Sequence, residues 1–400
     1  KRCIELKKIV KTDNFIFYQF LNNYMTKPTL ISLYSGCGGS ALGFRNAGFE
    51  IDFMNDNNAD SCYTLVENFQ KTSDNSDREI VHRGNIKDVF SFGQADVVEG
   101  GFPCQGFSLA GPRKVDDKRN ILYNYLKRAI TFANPKFFVA ENVKGFVSIG
   151  EDGKNKLYDK EGNLQLGKVA AAITSELATT GGGYNVHCKI LDAKNYGIPQ
   201  DRERIIIVGV RKDLDFEFEF PRATHGENLK PYVTLESIKD IPSLETEVFK
   251  ERKDDREDYF SSRYMSRNRI RGWDKVSFTI PADAGQVPAD PACKKMWDTP
   301  DGKVPGGKKP HDSEWTEFRK KHGDKISPDL VRLSWRQCAA IQGFPRDYKF
   351  HGDVKSIYRQ IGNAVPPLMM KRVAECIMPY FEGKTSSYPK KANTLSRISN

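Results

Sequence analysis

Thr29-Leu-Ile-Ser-Leu-Tyr-Ser-Gly-Cys-Gly-Gly39 is the stretch on which the fold turns. Thr29 to Tyr34 reads as a buried strand, Ser35 to Gly39 as a turn, and Leu42, Phe44 and Ala47 then recur at helical spacing. Strand, glycine turn, helix is the opening of a nucleotide-binding α/β unit. Glycines at 36, 38 and 39 allow a tight turn and a close backbone approach to a ligand. Alone this is a common steric device. A second strand, Glu50 to Met54, ends at Asn55-Asp56, and a carboxylate at that edge can accept both ribose hydroxyls of an adenosine.

The rhythm continues outward. Strand Ala95 to Val98, helix Ile121 to Phe132 and strand Lys136 to Ala140 come next, then helix Val169 to Ala178 and strands Val186 to Leu191 and Arg204 to Val210. Leu122, Tyr125, Leu126 and Ala129 share one helix face. The alternation predicts an α/β fold with a doubly wound, mostly parallel, Rossmann-like sheet. Past Pro221 the pattern breaks. Residues 223–329 are rich in Pro, Gly, Asp, Lys and Arg, with short strand candidates such as Val276 to Ile280, and predict a second, smaller, loop-rich domain. Helical character returns at Ser334 to Ile341 and from Pro366 to Tyr380. The predicted division is therefore an N-terminal extension (1–27), a main domain (28–222 and 330–382), the loop-rich domain (223–329) and a mobile polar tail (383–400). Gly150 to Gly167 reads as a surface insertion.

The 400-residue chain has 38% hydrophobic and 28% charged residues, which excludes a disordered polymer. No apolar run approaches the roughly 18 residues of a membrane span. The basic start has no apolar core or small-residue cleavage site, so no export signal is expected. Lys plus Arg number 62 against 52 Asp plus Glu, a net charge of +10 that favours a polyanionic partner. The eight cysteines form no C-x-x-C pair. No metal site is expected, and reduced thiols in an intracellular protein are.

One cysteine stands apart. Cys104, in Gly100-Gly-Phe-Pro-Cys-Gln-Gly-Phe-Ser108, follows a strand and so falls at the carboxyl edge of the sheet, where ligands of such sheets bind. A thiolate there is a good nucleophile. Strand Phe137 to Ala140 runs into Glu141-Asn-Val143, which brings a candidate proton donor to the same edge. Gln200-Asp-Arg-Glu-Arg204 adds Arg202 and Arg204, spaced to share one side of an extended chain and suited to holding a carbonyl or a carboxylate.

These pieces together resemble the DNA (cytosine-5)-methyltransferase family, bacterial type, across most of the chain outside its ends and middle. Ser32 to Gly39 resembles the cofactor loop, Gly101 to Gln105 the nucleophile motif, Glu141 to Val143 the proton-donor motif and Tyr196 to Arg204 the Q-x-R-x-R motif. Arg332 to Pro345 and Gln360 to Pro366 resemble the last two blocks. Asp56 stands where the family usually has Glu, and Asn85 where it usually has Asp.

The resemblance implies a methyltransferase sheet that binds S-adenosyl-L-methionine through Tyr34, Ser35, Gly36, Gly38, Gly39, Asp56, Asn85, Pro103, Asn363 and Ala364. It implies that Cys104 adds to C6 of a flipped-out cytosine, that Glu141 hydrogen-bonds or protonates N3, that Arg204 holds O2 and that Arg202 supports the loop. The segment Gln105 to Arg119 is suited to closing over DNA, with Ser108 and Arg119 as contacts. The middle domain corresponds to the target-recognition domain. There Arg267, Arg269, Arg271, Thr279 and Gln286 are expected to touch DNA, and the segment around Met265 to Thr279 looks like that of enzymes with short GC-rich targets. Double-stranded DNA as partner, a monomer, no metal, and a cytoplasmic, nucleoid-associated location follow as expectations. A tRNA methyltransferase and a non-catalytic DNA-binding relative are the competing readings. The sizeable middle domain disfavours the first, and the full set of catalytic residue types disfavours the second.

Overall fold

The computed structural model describes residues 27–71, 78–102, 122–148, 157–243, 261–307 and 311–389. Seven strands form one sheet: β1 (Thr29–Leu33), β2 (Glu50–Asp56), β3 (Val81–Arg83), β4 (Val97–Gly100), β5 (Phe137–Val143), β6 (Tyr184–Asp192) and β7 (Glu203–Arg211). Their order is β3-β2-β1-β4-β5-β7-β6. The chain winds outward from β1 through β2 to β3, then returns to β4 on the other side. The crevice beyond the ends of β1 and β4 is thus the switch point where doubly wound sheets bind ligands.

The central strands are apolar on both faces because both faces are covered. Leu30 joins one core while Ile31 and Leu33 join the other, as alternation along a strand requires. One face carries α1 (Gly39–Asn46), with α9 (Pro367–Phe381) packed beside it. The other carries α3 (Tyr123–Ala133) and α4 (Lys168–Ala178). Between them in sequence, α2 (Ala59–Leu65) starts at Asn58, whose side chain caps it from the end of β2.

β7 runs antiparallel to both its neighbours, since the connection 193–202 is too short for a parallel crossover. In its register with β5, Glu141 lies opposite Ile206 and Val143 opposite Arg204. Glu141 and Arg204 are therefore diagonal neighbours on one face, within reach of long side chains.

The middle of the chain holds α5 (Ser262–Met265) and α6 (Trp315–His322) around a third core of Tyr264, Met265, Cys293, Met296, Trp297 and Leu330. Two more helices complete the structure, α7 (Trp335–Gln342) and α8 (Val354–Asn363). Three expectations are revised. Val276 to Ile280 is not a strand: only Ser277 bridges, to Gln200, because the segment spends its polar groups on the turn before β7. The chain beyond Gly383 is held as far as Pro389. Glu217 donates its N–H to Thr385 O, Ser387 donates back to Glu217 O, and Arg222 lies 4.2 Å from the Tyr388 ring centre. The described part of the 150–167 insertion folds back through a Tyr158–Leu164 bridge, and Leu157, Leu164 and Leu166 pack on the core. Helices α2, α5, α6 and α8 were not foreseen.

Candidate active site

A cavity of about 660 Å³ opens at the switch point. That is within the range of roughly 300–1,000 Å³ usual for small-molecule sites. Of the sequence-predicted residues, Tyr34, Ser35, Gly36, Gly39, Asp56, Asn85, Glu141, Arg204, Asn363 and Ala364 all line it. Two do not. Gly38 turns toward Phe69 and Leu65, where a Cβ would meet Phe69 at 2.5 Å. Arg202 is fully buried behind the wall. Pro103, Cys104, Gln105, Ser108 and Arg119 lie outside the described residues.

The loop after β1 is shaped by backbone contacts. Gly36 has φ +53 with open space where a side chain would be, and its N–H donates to Asp56 Oδ2 at 2.9 Å. Asp56 Oδ1 accepts from the Asn58 N–H at 2.8 Å. Burial pushes this carboxyl above its ordinary range, while the N–H groups of Asn58, Gly36 and Asn57 pull it back. A Cβ on Gly39 would stand 2.3 Å from Val365 O, so only glycine lets the last block close against the loop. Asn85 uses its side-chain oxygen to cap the turn at Lys87, which leaves its amide nitrogen as a donor.

At the other end, Arg204 Nε donates to Glu141 Oε1 at 2.9 Å, and both side chains are 13% exposed. Burial raises the Glu141 carboxyl's proton affinity against the pull of Arg204 and Arg202. Burial likewise lowers the Arg204 pKa, with Glu141 opposing. Gly101 lies alongside, since a Cβ there would be 3.1 Å from Glu141 Oε2. The neighbour of Glu141 adds a tie that the motif alone did not reveal. Buried Asn142 donates from Nδ2 to Phe102 O at 3.2 Å, fixing the chain at the point where Pro103-Cys104 follows.

Arg202 serves a different purpose from Arg204. Its Nη1 donates to Ile280 O at 3.1 Å, and its Nη2 to Gly362 O at 2.7 Å and Ala364 O at 2.9 Å. Gln200 joins the same seam. It accepts from the Ile280 N–H at 2.9 Å and donates to Gln342 Oε1 at 2.6 Å. The Q-x-R-x-R segment thus ties the middle of the chain to the last block and presents only Arg204 to the cavity.

Glu99 was missed. It is 3% exposed and lines the cavity between the glycine loop and Glu141. A charged residue inside the otherwise apolar run Val97-Val-Glu-Gly100 was the available signal.

The predicted DNA contacts are spread out. Arg267 is exposed and lines a second cavity of about 820 Å³, together with Lys294, Lys303, Lys325 and Trp297. Arg269 Nη2 donates to Gln286 Oε1 at 2.8 Å, so those two act as a unit. Arg271 donates to Asp201 Oδ2 at 2.5 Å and sits 3.9 Å from the Phe278 ring centre. Thr279 donates to Asp201 O at 2.5 Å. Arg271 and Thr279 are thus committed to the seam with the turn before β7.

A family model for C-5 cytosine-specific DNA methylase matches residues 29–378. The chain belongs to that family. Type II methyltransferase M.BsuRI of Bacillus subtilis is 36% identical over 93% of this methylase and 84% of its own length. Type II methyltransferase M.MthTI of Methanothermobacter thermautotrophicus is 37% identical over 88% and 98%. Among solved structures, S. pombe Dnmt2 methyltransferase superposes with a TM-score of 0.56 at 16% identity, covering 88% of this chain and 99% of that one. A putative DNA modification methyltransferase of an E. coli prophage gives 0.53 at 19%, covering 90% and 100%. At such identities the structures speak to the fold alone.

The methylase is a DNA cytosine-5 methyltransferase, and its family implies a methyl donor of the S-adenosylmethionine type. The residues present suit such a donor. Asp56 keeps lone pairs for a diol, Gly36 leaves the backbone open, and Asn85 has an amide donor to spare. Among the described residues no helix is long and apolar enough to cross a membrane, and no group of three or more His, Cys, Asp or Glu side chains could hold a metal.

Proposed function

We propose that this methylase methylates C5 of a flipped-out cytosine in a specific double-stranded DNA sequence, through a covalent bond between Cys104 and C6. The observation that carries the residue assignment is one cavity holding Asp56 and Gly36 at one end and the Glu141–Arg204 pair at the other. Cys104 follows Phe102 by two residues in the sequence, and Asn142 holds the Phe102 carbonyl.

Each residue then has a definite task. The Cys104 thiolate adds to C6 and breaks the ring's aromaticity, which pushes electron density onto C5. Glu141, whose proton affinity burial raises against the pull of Arg204 and Arg202, supplies a hydrogen bond or a proton at N3. Arg204, oriented by Glu141, holds the O2 oxygen, where charge develops. Arg202 positions the strand that carries Arg204. Asp56, Asn85 and the loop from Tyr34 to Gly39, with Asn363 and Ala364 beyond it, would hold S-adenosylmethionine, which would supply the methyl group at C5. Loss of the C5 proton and of Cys104 restores the ring. Flipping costs a few kcal/mol of unstacking, repaid by contacts from Gln105, Ser108 and Arg119.

Residues 28–222 and 330–382 make the catalytic unit, and 223–329 the target-recognition domain. The separate core of Tyr264, Met296 and Trp297 supports that division. Arg267 and the Arg269–Gln286 pair offer the bidentate donors that suit guanine edges and phosphates. The Type II names of the relatives extend the reading to a restriction-modification setting in the cytoplasm. Bisulfite sequencing of DNA from cells expressing the chain tests substrate, reaction and context together. New 5-methylcytosine in one sequence context is expected, and none with Cys104→Ser. Methylation confined to RNA, or surviving in the Cys104 variant, overturns the assignment.

A further inference from the structure

Among the described residues Glu99 is a carboxylate without a cation. Ser32 donates to its Oε1 at 2.5 Å and Ser40 to its Oε2 at 2.8 Å. Both partners are neutral hydroxyls, one from each side of the glycine loop. Among the described residues the other charged groups lining the cavity are Asp56, Glu141, Arg204 and Arg359. Arg204 is spent on Glu141, and Arg359 is exposed on α8. The charge that most affects Glu99 is that of Glu141, which has the same sign. Three carboxylates thus face two guanidiniums, and among the described residues neither Glu99 nor Asp56 has an ion pair. Asp56 has backbone N–H donors to stabilise its charge, whereas Glu99 has only the serines.

A buried ionised carboxylate is costly unless something of opposite charge approaches it. We propose that Glu99 is the anionic wall of a cation subsite within the cavity, and that it holds the positively charged methionine end of the methyl donor. This rests on the reading of the cavity as a site for an S-adenosylmethionine-type donor and adds a residue that the sequence motifs did not mark. S-adenosylmethionine offers two cationic centres, the α-ammonium and the sulfonium. The demethylated product keeps only the ammonium, so a carboxylate nearer the sulfonium binds the reactant more tightly than the product. The proton balance follows. Without a cation the Glu99 carboxyl is pushed up to about 7 by burial and by Glu141. A cation beside it favours the ionised form, so binding near neutral pH releases a proton from Glu99.

Calorimetry on the purified full chain tests this with three probes. These are S-adenosylmethionine, S-adenosylhomocysteine and 5′-methylthioadenosine, the last of which lacks the amino acid and its charge. Glu99→Gln removes the charge and keeps the shape. It is expected to cost roughly ten- to hundredfold in affinity for S-adenosylmethionine, the range for losing a charge-assisted contact, while affinity for methylthioadenosine stays within about twofold. The homocysteine probe identifies the source: a loss equal to that of S-adenosylmethionine assigns the ammonium, a smaller loss the sulfonium. Measured in two buffers of different ionisation enthalpy, proton release at pH 7 should be smaller in the variant. Glu99→Asp, which keeps the charge, should retain part of the preference and guards against a folding defect. Equal losses for all three probes would make Glu99 only a tie between Ser32 and Ser40 and overturn the proposal, as would no loss. Failure of the unmodified protein to bind any probe would overturn the reading of the cavity itself.

Discussion

Arg202 and Arg204 sit two residues apart in one motif, yet the structure gives them separable roles. Replacing Arg202 with Met keeps much of the side chain's apolar bulk and deletes three donated hydrogen bonds, to Ile280 O, Gly362 O and Ala364 O. Bonds from a charged donor are worth about 1.5–3 kcal/mol each, and a buried carbonyl left without a partner costs about 1–3 kcal/mol. These are two views of one loss and do not add. Releasing a fully buried guanidinium from its desolvation offsets part of it. About 3 kcal/mol of destabilisation is the resulting expectation, a large share of the roughly 5–15 kcal/mol available to a domain. Arg204→Met instead removes one ion pair at the cavity wall and should cost under about 1.5 kcal/mol, because the Glu141 left behind, whose proton affinity burial already raises, can take up a proton at the cavity. The same substitution should abolish most methyl transfer. Urea denaturation followed by tryptophan fluorescence, with tritiated methyl transfer to DNA measured below the unfolding transition, separates the two. If Arg202→Met leaves the unfolding free energy within 0.5 kcal/mol of the unmodified protein, or if Arg204→Met proves the more destabilising, the division of labour is wrong.

Two further outcomes follow from charges the structure places. The folded Glu99 carboxyl holds its proton to about pH 7, well above the ordinary glutamate value of 4.5. The folded state therefore binds more protons than the unfolded state across that window, and stability falls as pH rises through it. Glu99→Gln removes this slope, so denaturation at pH 5 and pH 8 should show the variant gaining on the unmodified protein at the higher pH, and an identical difference at both would refute the assignment. Lys294, Lys303 and Lys325 line the second cavity with Arg267, and among the described residues none of the three lysines has an ion pair. Replacing them with Gln should reduce the slope of log affinity against log salt by up to about 3, near 0.9 per phosphate contact, while bisulfite sequencing reports the same target. An unchanged slope would place the DNA backbone elsewhere.

Much of this was legible from sequence because it depends on local pattern. The run from Thr29 to Gly39 encodes strand, turn and helix in adjacent residues, and the alternation that follows predicts the sheet. The elements missed had no such signature. Helix α6 carries Arg319, Lys320 and Lys321 on a charged surface, so its pattern resembles a polar loop until Trp315 and Phe318 find Trp297 outside the helix. Val276 to Ile280 has strand composition, but a strand needs a partner edge, and its polar groups go instead to Gln200 and Asp201.

The site divides along the same line. Residue types that carry chemistry are named by motif, whereas the direction in which a side chain is used depends on what packs beside it. Arg202, Arg204 and Arg271 are one residue type to a sequence reader. Arg202 ends on backbone carbonyls, Arg204 on the Glu141 carboxylate at the cavity and Arg271 on Asp201 at the seam. Glu99 makes the converse case. No motif names it, yet burial leaves this glutamate as a carboxylate without an ion pair among the described residues, because the charge that acts on it, Glu141, has the same sign and is already matched by Arg204. Pairing among neighbours decides which charges remain available to a ligand, and pairing is set by the register of β5 against β7 and of β4 against β1. A cationic donor would thus be recognised by a buried carboxylate that has no ion pair among the described residues, while Glu141 and Arg204, paired with each other, would face the pyrimidine.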